Sequence, residues 1–221
     1  MLLFDEAPIA WLAASLRHLS FLLPNKGWTD SLELLERFWK QVVVQRVLQP
    51  AVNLESLVLT GRGEWIKDAQ SFDVSQVQFP RLAALSLRHF IWEDDTSGQG
   101  DSAPLEFIVR HQKTLKNLEL HNCAIGFRNR FGPPHRYWAD IYKRLANALT
   151  GLVELKVEFE LEDSDKIPYV YFGDYRPCRL DIDGFKERAP DAAPAQDAVA
   201  LEEFRAVVKS QGMGDDSGFR P

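Results

Sequence analysis

One local pattern constrains this chain more than any other. The frame leucine, two residues, leucine, one residue, apolar occurs five times, at Leu16/Leu19/Phe21, Leu54/Leu57/Leu59, Leu82/Leu85/Leu87, Leu115/Leu118/Leu120 and Leu152/Leu155/Val157. The copies start 38, 28, 33 and 37 residues apart. In each frame the last two apolar positions are two residues apart, so they point to one face of a short strand while the residues between them point to the other. The first leucine enters the same core at the bend. One such strand cannot bury its face alone, but strands stacked side by side build a continuous core in which each touches only the next. Parallel neighbours demand crossovers, and the intervals are long enough to hold helices.

The intervals read accordingly. Ser31 to Leu48 sets Leu32, Leu35, Phe38 or Trp39, Val42 and Val43 at three-and-four spacing, with Asp30 as N-cap and Glu33 completing a capping box. A second helix is predicted after Pro104, with Leu105, Ile108 and Val109 on its apolar face. A third runs from about His135 to Leu149, with Trp138, Ile141, Tyr142, Leu145 and Leu149 on one stripe. Residues 61 to 80 read as irregular. Beyond Val157, Tyr169 to Phe172 is an aromatic strand expected to close the sheet. The organisation expected is a repeat domain over residues 1–185 and then, over 186–221, a linker, a short capping helix and a disordered tail. That helix starts near Asp197, carries Val199 or Ala198, Leu201, Phe204 and Val208, and stops at Gly212.

Composition removes several classes. The 221 residues carry 26 basic and 32 acidic side chains, a net charge of −6 that argues against a general nucleic-acid binder. No apolar run approaches the roughly 18 residues of a membrane span. Asp5 and Glu6 stand where a signal peptide wants lysine or arginine. Cys123 and Cys178, 55 residues apart, form neither a disulfide framework nor a metal-ligand set, so a reducing compartment, cytoplasm or nucleus, is expected.

The fourth frame is the most complete, since its ninth position is Cys123, where leucine-rich repeats place asparagine or cysteine; the others have Pro24, Arg62, Phe90 and Glu160 there. The run LEFIVRHQKTLKNLELHNC from Leu105 to Cys123, followed by Trp138 and the helix to Leu149, resembles the leucine-rich region of filamentous-fungal F-box-like proteins. FPRLAALSLRHF from Phe79 to Phe90 and NLESLVLTG from Asn53 to Gly61 fit preceding repeats of the same pattern, and the resemblance covers roughly residues 9 to 160. It implies a ribonuclease-inhibitor-like α/β solenoid, acting as the substrate-recognition region of a Skp–cullin–F-box ubiquitin ligase. The F-box itself, a helical segment opening with Leu-Pro, is not visible. A Skp-type adaptor is therefore expected only if an F-box lies upstream, and the chain is expected to be the C-terminal part of a longer protein or a shortened gene model.

The function expected is protein binding without catalysis, cofactor or metal. The partner-binding residues are the outward ones of consecutive strands, on a concave face: Ser56, Val58 and Thr60; Ala84, Ser86 and Arg88; Asn117, Glu119 and His121; Glu154, Lys156 and Glu158. No His-x3-His or Cys-x2-Cys spacing suits a metal. Asp181 to Gly184 only begins a calcium loop, Gly61-Arg62-Gly63 and Gly98-Gln99-Gly100 make no phosphate cradle, and no Gly-x-Ser-x-Gly elbow occurs. His89 and His121 read as surface imidazoles, and Cys123 as a packing thiol. Eight basic against three acidic residues between Leu105 and Arg144, followed by six acidic against one basic from 154 to 165, would orient an incoming protein. Two rivals remain: RNA binding through the basic region, where Phe127 to Phe131 interleaves aromatics with arginines, and an enzyme with dispersed residues.

Overall fold

The computed structural model describes residues 6–22, 38–61, 77–93, 103–127, 134, 136–159, 169–172, 177–179 and 193–212. Its elements in chain order are helix α1 (Glu6–Ser15), strand β1 (His18–Leu22), a π-helix (Phe38–Leu48), β2 (Ser56–Thr60), β3 (Ala84–Arg88), β4 (Ile91–Glu93), α2 (Ala103–Arg110), β5 (Asn117–His121), β6 (Ala124–Phe127), α3 (Trp138–Ala148), β7 (Glu154–Glu158), β8 (Tyr169–Phe172), β9 (Pro177–Arg179) and α4 (Ala193–Gly212). The chain is α/β, with a five-stranded parallel sheet ordered β1-β2-β3-β5-β7 and helical crossovers. A second sheet, β4-β6-β8-β9, is parallel except for the antiparallel pair β8 and β9.

The five leucine frames occupy the five strands of the first sheet in one register. His18, Ser56, Ala84, Asn117 and Glu154 are direct partners across it, and each lies two residues after the first leucine of its frame. The backbone repeats the same device at every strand start. One carbonyl accepts two consecutive N–H groups of the next strand: Arg17 from Glu55 and Ser56, Glu55 from Ala83 and Ala84, Ala83 from Lys116 and Asn117, and Lys116 from Val153 and Glu154. Leu57, Leu59, Leu85, Leu87, Leu118, Leu120 and Val157 are buried as the alternation requires. Leu19, Phe21 and Leu155 are only half-buried, because they lie on the two edge strands.

Past β3 and β5 the chain turns a corner into the second sheet, at β4 and β6. His89 and Asn122 hold equivalent corner positions with positive φ, 58° and 49°, a region histidine and asparagine tolerate better than most residues. Gly61 stands at the corresponding place after β2, donating its N–H to Arg88, and a Cβ there would come within 2.7 Å of the His89 carbonyl oxygen. Phe90 and Cys123 follow the corners and are buried, the Cys123 thiol donating to the Leu87 carbonyl at 3.3 Å. Burial pushes that thiol up to about 12, in keeping with a packing role.

The helical expectations are met with three corrections. Between β1 and β2, residues 23–37 lie outside the described residues, and Phe38–Leu48 is a π-helix. Its wider i→i+5 bonding, seen where Gln49 donates to Val44, buries Val43, Val44 and Leu48 and leaves Val42 exposed. In α2 the buried face is Pro104, Leu105, Phe107 and Ile108, with Val109 half-buried. The strand Tyr169–Phe172 does not close the five-stranded sheet; it pairs with β6 in the second one.

The largest departure is α4. It begins at Ala193 and runs 20 residues, with Ala193, Asp197, Ala200, Phe204 and Val208 on its buried stripe and Val199 exposed. It packs on α3 and β7, and Arg205 donates to the Val157 carbonyl at 3.3 Å. That carbonyl faces away from β5, so α4 covers the outer edge of β7. Asp197 starts nothing; it is fully buried and caps another helix. Its Oδ1 accepts the Ala139 N–H at 2.7 Å, in the first turn of α3, and its Oδ2 accepts the Tyr169 hydroxyl at 2.6 Å. The same hydroxyl accepts the Trp138 N–H at 3.1 Å. Trp138 stacks on Tyr142, with ring centroids 5.3 Å apart, and lies 5.4 Å from Trp92, so this polar knot is sealed under aromatic rings.

Candidate functional site

The outward positions of the five-stranded sheet form three rows of five. They read His18, Ser56, Ala84, Asn117, Glu154; then Ser20, Val58, Ser86, Glu119, Lys156; then Leu22, Thr60, Arg88, His121, Glu158. Neighbours within a row are about 4.8 Å apart and rows about 6.6 Å apart, as sheet geometry fixes. All the residues expected from the sequence to form a partner-binding face share this one face. The contribution of β1, His18, Ser20 and Leu22, was not among them, although the frame at Leu16 announces it.

Arg88, His121 and Glu158 of the third row and Ser86, Glu119 and Lys156 of the second are one connected polar network. Arg88 grips both carboxylate oxygens of Glu119, at 3.1 and 3.0 Å, and donates through Nε to Ser86 at 3.1 Å. The Lys156 ammonium lies 3.6 Å from Glu119 and 3.0 Å from Glu158. The His121 Nδ1 lies 3.4 Å from Glu158. Partial burial would raise the Glu119 carboxyl, but hydrogen bonds from Ser86 and Arg88 and the nearby positive charges hold it below the usual range. The Glu158 bond to Lys156 lowers the Glu158 carboxyl and raises the Lys156 ammonium. Since Lys156 and Glu158 are about half exposed, their pair adds little to stability and instead fixes where charge stands on the face.

Glu119, His121 and Glu158 each offer a donor atom, all within 4.8 Å of one another. One imidazole and two carboxylates are a chemically reasonable set for a divalent ion. Here, however, the chain supplies its own cations: Lys156 stands against both carboxylates, and Arg88 occupies both oxygens of Glu119. The grouping is accounted for as an ion-pair network.

Below that network lies a shallow depression of about 200 Å3, lined by the first two rows from β2 to β7: Ser56, Val58, Ala84, Ser86, Asn117, Glu119, Glu154 and Lys156. Small side chains on β2 and β3 make the floor, and longer polar ones on β5 and β7 make the wall. Glu154 forms no ion pair with the described residues.

The two histidines read as surface imidazoles are not free. His121 is half-buried and paired with Glu158, and the His89 ring meets it edge-on at 5.5 Å. His111, given no role from the sequence, is buried. Its Nε2 accepts the Phe79 N–H at 3.0 Å and its Nδ1 donates to the Phe107 carbonyl at 2.8 Å, which ties the irregular segment before β3 to α2. A histidine directly after the last residue of α2, four positions past the buried Phe107, was the available signal. Arg128 and Arg130, the arginines between Phe127 and Phe131, lie outside the described residues, as do Glu160, Glu162, Asp163, Asp165, Gly98 to Gly100 and Asp181 to Gly184. No helix among the described residues is long and apolar enough to cross a membrane. No protein-family model matches the chain, and no curated protein is significantly similar to it.

Proposed function

We propose that this chain is a protein-binding module, a leucine-rich-repeat solenoid of ribonuclease-inhibitor-like type that resembles the substrate-recognition region of an F-box-type ubiquitin-ligase adaptor. The observation that carries the reading is the common register of the five frames, which sets three rows of outward side chains as a rigid array. A rigid array binds a partner without first ordering its own side chains, and that ordering otherwise subtracts from affinity. A Skp-type adaptor belongs to this reading only where an F-box is joined to the chain, and a ligase role would place it in the cytoplasm or nucleus.

The test is affinity capture with quantitative mass spectrometry, using wild type, Asn117→Arg on the face, the exchange Arg88→Glu with Glu119→Arg, and Glu203→Arg on the exposed side of α4. The exchange preserves a pair of opposite charges, so its melting temperature should stay near wild type while its partner is lost. A partner kept by wild type and Glu203→Arg, and lost from the two face variants, supports the reading. Equal capture by all four overturns it.

A further inference from the structure

Resting on the reading of this face as a docking surface, we propose that the depression between β2 and β7 seats a single basic side chain, lysine or arginine, of the partner. Size is the first argument. At about 200 Å3 the space exceeds a water site, since a water occupies roughly 30 Å3, and falls short of the roughly 300–1,000 Å3 of cofactor and small-molecule pockets. It suits one long side chain entering from an open face.

The lining gives the chemistry. Ser56, Ala84 and Ser86 are short, and with Val58 they leave a neutral floor along which the methylenes of a lysine or arginine can lie while its charged head stays near water. Charge decides between the remaining occupants. The two permanent cations of the array are committed, Arg88 to Glu119 and Lys156 to Glu158 and Glu119. Glu154, at the β7 side, pairs with none of the described residues and supplies the one uncommitted charge of the lining. An acidic side chain would meet this negative charge and would have to strip Lys156 from its carboxylates. An apolar one would leave Glu154 unanswered. A guanidinium or ammonium completes the array, with a charge-assisted hydrogen bond to Glu154.

The test uses capped single amino acids as probes, Nα-acetyl-arginine amide, Nα-acetyl-glutamate amide and Nα-acetyl-leucine amide, titrated to millimolar concentration while the Ala84 and Val58 methyl resonances are followed by NMR. The arginine probe should shift both methyls saturably. Glu154→Gln should weaken it by about two- to fivefold, the worth of one charge pair on an open surface, and Glu203→Gln should leave it unchanged. Equal shifts with the glutamate or leucine probe, no shift with arginine, or an unaltered affinity in Glu154→Gln each overturn the inference. The capture experiment separates this failure from the wider one. A partner lost from Asn117→Arg while the arginine probe does not bind keeps the docking face and removes the basic pocket; a partner indifferent to Asn117→Arg removes the face itself.

Discussion

Replacing Asp197 by alanine tests the account of how α4 is held. The side chain is fully buried and accepts two hydrogen bonds, from the Ala139 N–H and the Tyr169 hydroxyl. Alanine would leave that helix-start N–H unpaired and the hydroxyl without its acceptor. A lost cap costs about 0.5–2 kcal/mol, and a buried polar group left unsatisfied about 1–3 kcal/mol. Against this stands relief from holding a carboxylate away from water, since burial raises the Asp197 carboxyl from 3.8 to about 6. At pH 7 the net loss should be about 2–3 kcal/mol. The pH dependence has a definite sign. A carboxyl whose folded value is raised binds its proton more tightly in the folded chain, so its contribution to stability falls as pH rises from about 4 through about 6. The deficit of Asp197→Ala relative to wild type should therefore widen as pH is lowered, by about 2–3 kcal/mol between pH 7 and pH 4. Groups common to both proteins cancel in the comparison. Urea unfolding followed by far-UV circular dichroism, at pH 4, 5.5 and 7, measures it. A deficit that is absent at every pH, or one that shrinks on acidification, would refute the reasoning.

Four further outcomes are expected. Leu118→Ala should lower stability by about 2–5 kcal/mol, as a buried leucine does, and half-buried Leu155→Ala by clearly less; equal losses in denaturant titration would contradict the difference in burial. Gly61→Ala should destabilise by about 1–3 kcal/mol through its collision with the His89 carbonyl, and an unchanged melting temperature would show that the corner has room. His111→Leu should cost about 1–3 kcal/mol by orphaning the Phe79 N–H. Because burial lowers the His111 value below 6.5, the contribution of His111 to stability is lost as pH falls below about 6.5, so in pH-resolved melts the deficit of the leucine variant relative to wild type should narrow there, groups common to both proteins cancelling. Iodoacetamide should label Cys123 only at the rate of unfolding, read on the Cys123 peptide after digestion so that Cys178 is not counted; rapid labelling of that peptide in the folded chain would contradict its burial.

The core strands were legible because their signal is local. Leucines two apart must share a face, and five copies of one frame leave a single consistent register. The outward face followed from the same parity, which is why the positions on β2, β3, β5 and β7 were all found. What escaped depends on partners far apart in sequence. The connection of Asp197 to Ala139 and Tyr169 spans 58 and 28 residues, and a lone aspartate before an apolar stripe reads locally as an N-cap. The burial of Val44 in place of Val42 reflects the π-helix, whose wider turn shifts the stripe that three-and-four spacing assumes. Likewise, only the strand pairing shows that Tyr169–Phe172 joins the second sheet.

The carbonyls of Arg17, Glu55, Ala83 and Lys116, each accepting two successive N–H groups of the next strand, have a consequence for how the gene can change length. They clamp every frame to its neighbour at one fixed point, so a codon gained or lost between a first leucine and its strand would turn the apolar side chains outward and the polar ones into the core. Crossovers meet no such condition, and their lengths already vary from frame to frame. Insertions and deletions should therefore be tolerated between frames and rejected within them, so that the pattern of outward side chains survives while its connections drift.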